Sequence, residues 1–102
     1  MSSQNAIDIF RACIPLFNVL SDPARQDIIL LLAERESLSV NEIAEHSRLS
    51  RPAISHHLKL LRDHQLVQIE QKATHRYYSL QLEQSVQQLK QLVEVVEREC
   101  LS

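Results

Sequence analysis

Hydrophobic positions along the chain fall into five helical patterns and one alternating segment. Between residues 5 and 20, Ala6, Phe10, Cys13, Phe17 and Leu20 recur at spacings of 4, 3, 4 and 3, the period of one helix face. Pro15 lacks an amide donor and disfavours helix at Ile14, so two short helices or a kink are expected there. Asp22-Pro23 restarts the helix with an N-cap acceptor and a proline at the first helical position, and the helix runs to about Glu34 with Ala24, Ile28, Leu31 and Leu32 toward a core.

Ser39-Val40-Asn41-Glu42 has the form of a capping box, opening a short helix that buries Val40, Ile43 and Ala44. After a polar junction from Ser47 to Ser50, Ser50 caps a longer helix whose first turn tolerates Pro52, because amides there have no partner inside the helix. A rotation of about 100° per residue puts Ile54, His57, Leu58 and Leu61 on one side. Arg51, Pro52, Ser55, His56, Lys59 and Arg62 then lie on the other.

Leu66, Val67 and Ile69, then Tyr78 and Leu80, alternate as strands do, which predicts a β-hairpin over 67–80 with its tip near Lys72 to His75. The tip has no Gly, Asn or Asp, so a longer loop around Ala73-Thr74 is expected rather than a tight turn. From Leu82 onward, Leu82, Val86, Leu89, Val93, Val96 and Cys100 repeat at 4, 3, 4, 3 and 4, a seam that Leu92 and Val95 widen. This stripe and the one over 5–20 need a covering surface, and pairing them across two subunits would bury both.

These patterns predict a single mainly α domain over 1–102 with a small β-hairpin wing. Its parts are a helix-turn-helix over 39–66, a wing over 67–80 and dimerisation helices over 5–20 and 82–100. Aromatic content of 4% agrees with an aliphatic helical core rather than a sheet sandwich. The absence of glycine removes phosphate-cradling loops and glycine-bearing nucleophile turns. No pattern brings a nucleophile, a base and an oxyanion donor together, so an enzyme is not expected.

The formal charge of −2 alone argues against nucleic acid, but its distribution does not. Arg48, Arg51, Lys59, Arg62, Lys72 and Arg76 stand against only Asp63 and Glu70 in the window 48–76, a net +4 that leaves −6 for the rest. Four of the five histidines fall in the same window. The first ten residues have no basic leader and no apolar run approaches the roughly 20 residues of a membrane span, so a cytoplasmic protein without membrane contact is expected.

A short helix, a tight turn, a longer helix and a hairpin make a winged helix-turn-helix. In such a unit the second helix enters the major groove and the wing reaches the neighbouring backbone or minor groove of double-stranded DNA. Arg51, at the helix start, is placed for a bidentate contact to guanine, and Ser55 and His56 for bases or phosphates. Lys59 and Arg62, with Lys72, Thr74, His75 and Arg76 on the wing, suit phosphate. The plainer alternatives are a solvated helix face, or a winged module that binds protein without DNA.

The segments LFNVLSDPARQDIILLL, LSRPAISHHLKLLRDHQLV and HRYYSL resemble, in order and spacing over about residues 16 to 80, the ArsR/SmtB family of bacterial winged-helix repressors. The resemblance implies a homodimer, with first and last helices at the interface, that represses a promoter until an inducer releases it. Carried over by position, the family's DNA-reading residues fall on Arg51, Ser55 and His56, with Ser50 and Pro52 beside them. Gln65 departs from the pattern, in which a glycine often ends the recognition helix.

The metal-sensing positions of that family read Ser39 and Asn41 for its thiol site, and Leu82, Gln84, Val95 and Arg98 for the zinc site on its last helix. Neither set supplies the thiolate, imidazole or carboxylate groups zinc requires, so no metal is expected at either, and no cofactor. His56 and His57 are adjacent and form no helical metal pair; His57 is expected at the core edge. Cys13 and Cys100 lie one on each terminal stripe. They are either small buried hydrophobes or a thiol switch, in which a disulfide between the two helices alters half-site geometry under an oxidant inducer; a small-molecule inducer is the other route.

Overall fold

In the computed structural model, which describes residues 3–101, six helices and a three-stranded antiparallel sheet follow one another as α1 (Ser3–Ala12), α2 (Ile14–Leu20), α3 (Pro23–Arg35), β1 (Ser37–Leu38), α4 (Val40–Glu45), α5 (Arg51–Asp63), β2 (Val67–Lys72), β3 (His75–Leu80) and α6 (Glu83–Cys100). The expected break near Pro15 is present, but it falls at Cys13; Ile14 itself is helical and Pro15 sits in the first turn of α2. The cap signals act where the sequence puts them. Asp22 accepts from the amides of Ala24 and Arg25 at 2.8 and 3.3 Å. The Ser39 hydroxyl accepts from the Glu42 amide at 3.2 Å while Glu42 accepts from the Ser39 amide at 3.0 Å. Ser50 accepts from Ala53 at 3.3 Å.

The hairpin is tighter than expected and does not stand alone. Lys72 pairs with His75, so only Ala73 and Thr74 form the turn, and Ala73 takes the positive φ of 56° that a two-residue connection requires. The longer loop expected there is therefore corrected: a short side chain accepts the left-handed region at a modest cost, and the strands stay paired to the tip. A further strand, β1, pairs Ser37 with Ser79 and Leu38 with Tyr78, giving the order β1-β3-β2. Two residues are too short for any periodic signal, which is why β1 was invisible in the pattern.

One main core joins the winged-helix elements. Leu16 and Val19 of α2, Ile28 and Leu32 of α3, Leu38, Ile43 of α4, Ile54, Leu58 and Leu61 of α5, Leu66 and Val67 are all buried in one cluster. Gln65 closes α5 with φ 60°, the left-handed conformation that glycine usually supplies. Around it the Leu66 amide donates to the Leu61 carbonyl at 2.8 Å and the Gln65 amide to Arg62 at 2.9 Å, a Schellman closure made without glycine.

Outside this core, α1 and α6 pack antiparallel within the same chain. Asn5 donates to Glu99 at 3.0 Å near one end, and Gln88 donates to the Ala12 carbonyl at 2.9 Å near the other. The face of α6 turned to α1 carries Gln88 and Glu99 with the buried Val95 between them, offset from the seam read in the sequence, and Ser85 is buried one turn before Gln88. Of that seam, Leu82 and Leu89 lean on the main core, whereas Val86 and Val93 are 42% and 56% exposed. The pair also leaves Ile7, Phe10 and Ile14 exposed on α1 and α2. It stretches the molecule, whose radius of gyration is 16.3 Å; a compact domain of this length has about 13 Å.

Candidate nucleic-acid interface

The amphipathic split of α5 is as its spacing predicts. Ile54, Leu58 and Leu61 are buried, His57 is half-buried, and Arg51, Pro52, Ser55, His56, Lys59 and Arg62 are all exposed, as is the capping Ser50. On the wing, Lys72, Thr74, His75 and Arg76 are exposed as well. The fold brings the two groups together. Ser55, Lys59 and Arg62 of α5 and Arg76 and Tyr78 of β3 line one groove of about 290 Å³ between helix and wing, with Asp63 its sole acid. Among the described residues, Arg51, Lys59, Arg62 and Arg76 make no ion pair, while Lys72 lies 3.8 Å from Glu70 and 5.9 Å from the centre of the Tyr77 ring. A face with cations uncompensated by protein carboxylates is the electrostatic form that phosphate recognition needs. A larger open groove of about 560 Å³, between α3 and the turn after α4, mixes Asp27 and Glu34 with His46 and Arg48 and contains none of the residues assigned to DNA.

Sequence reasoning missed what holds α5 in place. The Arg25 guanidinium, 13% exposed, donates from Nε to the Val19 carbonyl at 2.8 Å and from Nη2 to Asn18 at 3.4 Å; its Nη1 lies 3.3 Å from His57 Nδ1 and 3.7 Å from the Asp22 carboxylate. The SDPAR segment is thus a structural junction: Asp22 caps α3, and Arg25 satisfies the last carbonyls of α2 while reaching α5. Partial desolvation raises the Asp22 pKa, but the hydrogen bonds from the Arg25 and Ala24 amides and the charge of Arg25 outweigh it, leaving the carboxyl below its ordinary value. Glu42 is likewise lowered, first by the Ser39 amide and then by its hydroxyl. His57 stands at the core edge, as expected, with Arg25 as the partner that no pattern announced.

Among the described residues no group of three or more His, Cys, Asp or Glu side chains is placed to hold a metal ion, and no helix is long and apolar enough to cross a membrane. Cys13 is fully buried and Cys100 is exposed, both as thiols. Within one chain, the antiparallel packing sets the two cysteines toward opposite ends of the α1–α6 pair. Cys13 lies at the Gln88 end of the pair, and the twelve residues from Gln88 to Cys100 span about 18 Å of helix. A disulfide needs Cα atoms within about 7 Å.

Comparison with known proteins agrees with this architecture. Residues 22–68 match the model of the bacterial regulatory proteins of the arsR family. The transcriptional repressor SdpR of Bacillus subtilis is 38% identical over 65 residues, covering 64% of this chain and 71% of SdpR. Among solved structures, the transcriptional regulator HlyU from Vibrio vulnificus superposes with a TM-score of 0.73 at 27% identity, covering 93% of this chain and 98% of that one. Reduced HlyU from Vibrio cholerae gives a TM-score of 0.72 at 25% identity, covering 95% and 98%. These relatives are regulators of transcription and not enzymes. With its capped helix-turn-helix, hairpin wing and SDPAR junction in the family's order, the chain belongs to the arsR family of bacterial regulatory proteins.

Proposed function

We propose that this chain is a cytoplasmic homodimeric repressor that reads an inverted-repeat operator. The observation that carries the reading is the exposed face of α5 and β3, where Ser55, Lys59, Arg62 and Arg76 meet in one groove beside Arg51 and His56. In this reading Arg51 takes a guanine edge from the first turn of α5, with Ser50 and Pro52 against the backbone there. Ser55 and His56 add base or phosphate contacts. Lys59, Arg62 and the wing residues Lys72, Thr74, His75 and Arg76 hold phosphates that fix the register.

Two observations support the dimer. Ile7, Phe10, Ile14, Val86 and Val93 are exposed on the α1–α6 side of the molecule. The chain also exposes 6979 Å², whereas a folded monomer of 11.8 kDa exposes about 5,900 Å². The excess of roughly 1,000 Å² is comparable to one partner's share of a standard interface, about 800 Å². A two-fold dimer of this kind presents two α5 helices to half-sites about one helical turn apart.

Release by an inducer is the remaining part of the proposal. A thiol route runs through the exposed Cys100, in contact with a second subunit or an external thiol, since the two cysteines of one chain stand at opposite ends of the α1–α6 pair. The likeness to a HlyU described as reduced favours testing this route beside a small-molecule one.

Selection of bound sequences from a random DNA pool tests the whole reading. A palindromic consensus is expected, and recovery of unrelated sequences would favour a winged module that binds protein instead. With that site in hand, Arg51→Ala should cost about 1 to 3 kcal/mol and relax preference at one base pair of each half-site. Lys72→Ala should weaken matched and scrambled DNA alike and flatten the salt dependence. Treatment with a mild oxidant should lower operator affinity in the wild type and not in Cys100→Ser; equal affinity before and after oxidation would leave the small molecule.

A further inference from the structure

The Arg25 junction touches none of the surface assigned to DNA, yet it makes a direct polar link between α2 and the buried flank of the recognition helix. Its guanidinium contacts three elements at once. Nε and Nη2 hold the Val19 and Asn18 carbonyls at the end of α2, Nη1 faces the Asp22 carboxylate that caps α3, and the same Nη1 reaches His57 Nδ1 on α5. A guanidinium has donors and no acceptor, so His57 Nδ1 must accept and the ring proton must reside on Nε2. The contact therefore selects one neutral tautomer and one ring orientation. A lysine at position 25 could not reproduce it, because an ammonium lacks the planar fork that serves separated acceptors simultaneously.

His57 lies between the exposed His56 and the fully buried Leu58. Apolar packing through Ile54, Leu58 and Leu61 holds α5 against the core, but packing alone tolerates small rotations about the helix axis. A directional hydrogen bond at the edge of that face removes this freedom. A change of about 10–20° in a presented side chain is enough to spoil a productive constellation. The neighbouring His56 and the Ser55 before it would feel such a rotation at once.

We infer that Arg25 and His57 are positioning residues for DNA readout, a strut that sets the rotation of α5 against α2 without contacting DNA. The strut also joins the reader to α2, whose exposed Ile14 belongs to the apolar side of the molecule. This inference rests on the DNA-binding reading proposed above.

The decisive substitutions are His57→Phe, which keeps a ring and removes the acceptor, and His57→Asn, whose side-chain oxygen falls near the place of Nδ1. Arg25→Met removes the donors from the other side. Affinity is measured for the selected operator and for a scrambled duplex of equal length, alongside far-UV circular dichroism to count folded protein. His57→Phe and Arg25→Met should each lose about tenfold in operator affinity with scrambled-DNA affinity unchanged, the double variant should lose no more than either single, and His57→Asn should restore the preference. An undiminished operator-to-scrambled ratio in folded His57→Phe, or equal losses on both duplexes, would overturn the strut. Ring nitrogen NMR of the DNA-free protein separates this from failure of the DNA reading. The wild type should show a bare Nδ1 and a protonated Nε2, and Arg25→Met a mixture of tautomers. A tautomer mixture already present in the wild type would overturn the inference, whereas a fixed tautomer in a protein without any DNA preference would instead remove the DNA-binding reading and, with it, the positioning role.

Discussion

The winged-helix body and the α1–α6 pair use the same aliphatic residues to different ends. In the body, eleven buried side chains from six of its elements and the bend after α5 close on one another, and the helix ends find their caps in Asp22, Ser39 and Ser50. In the pair, Ala6, Cys13 and Val95 are buried outside that cluster, Phe10 and Val93 remain about half exposed, and one Glu99 carboxylate oxygen is buried without a hydrogen-bond partner among the described residues. A closed core with satisfied ends is what an autonomous folding unit requires. A half-covered helix pair with a leftover polar atom is what an interface looks like before its partner arrives.

That contrast can be broken at its strong side first. Leu58 is 1% exposed at the centre of the body, and Leu58→Ala should destabilise the fold by about 3 kcal/mol, lowering the melting temperature by more than 10 °C on calorimetry. The pair should respond differently. Val93→Glu places a carboxylate on its exposed apolar side and should weaken self-association by about 2 kcal/mol or more, some thirtyfold in dimer Kd by analytical ultracentrifugation. The helical circular dichroism of the body should survive, and the concentration dependence of melting that a dimer shows should vanish. A Val93→Glu protein that sediments like the wild type would place the interface elsewhere.

Smaller effects sharpen the account of the body. Gln65 occupies the left-handed region at φ 60°, so Gln65→Gly should stabilise by about 0.5 to 1 kcal/mol in urea titrations, the relief of a side-chain clash set against greater freedom of the unfolded chain. The smallest effect is acid sensitivity. Asp22 and Glu42 have folded pKa values below their unfolded ones. Their stabilisation is thus fully present above the unfolded carboxylate pKa and is lost as pH falls through the lowered folded values. A shallow loss of stability on acidification, weaker in Glu42→Gln, is the expected titration; an unaltered slope in that variant would deny Glu42 its share.

The features legible in the chain are those with short-range physical causes. Capping side chains act within three residues, a proline acts on its neighbours, and an amphipathic helix shows its period in any window of two turns. The capped helix-turn-helix, the exposure of Arg51, Ser55, His56, Lys59 and Arg62, and the place of His57 at the core edge all follow from such causes. The hairpin turn at Ala73-Thr74 escaped because alanine there carries no sign of a positive φ.

What only the tertiary structure decided is who meets whom. The stripe of α6 is wide enough to serve two neighbours, and its period does not say that Gln88 and Glu99 meet α1 while Val93 stays open. Nothing local tells that β1 joins β3, that Cys13 and Cys100 lie at opposite ends of an antiparallel pair, or that Arg25 reaches across 32 positions to His57. Helix period, caps and charge are properties of neighbours along the chain, and they determined a winged reader of basic face. Register, partner and tautomer are properties of elements brought together in space, and those were set only when the core closed.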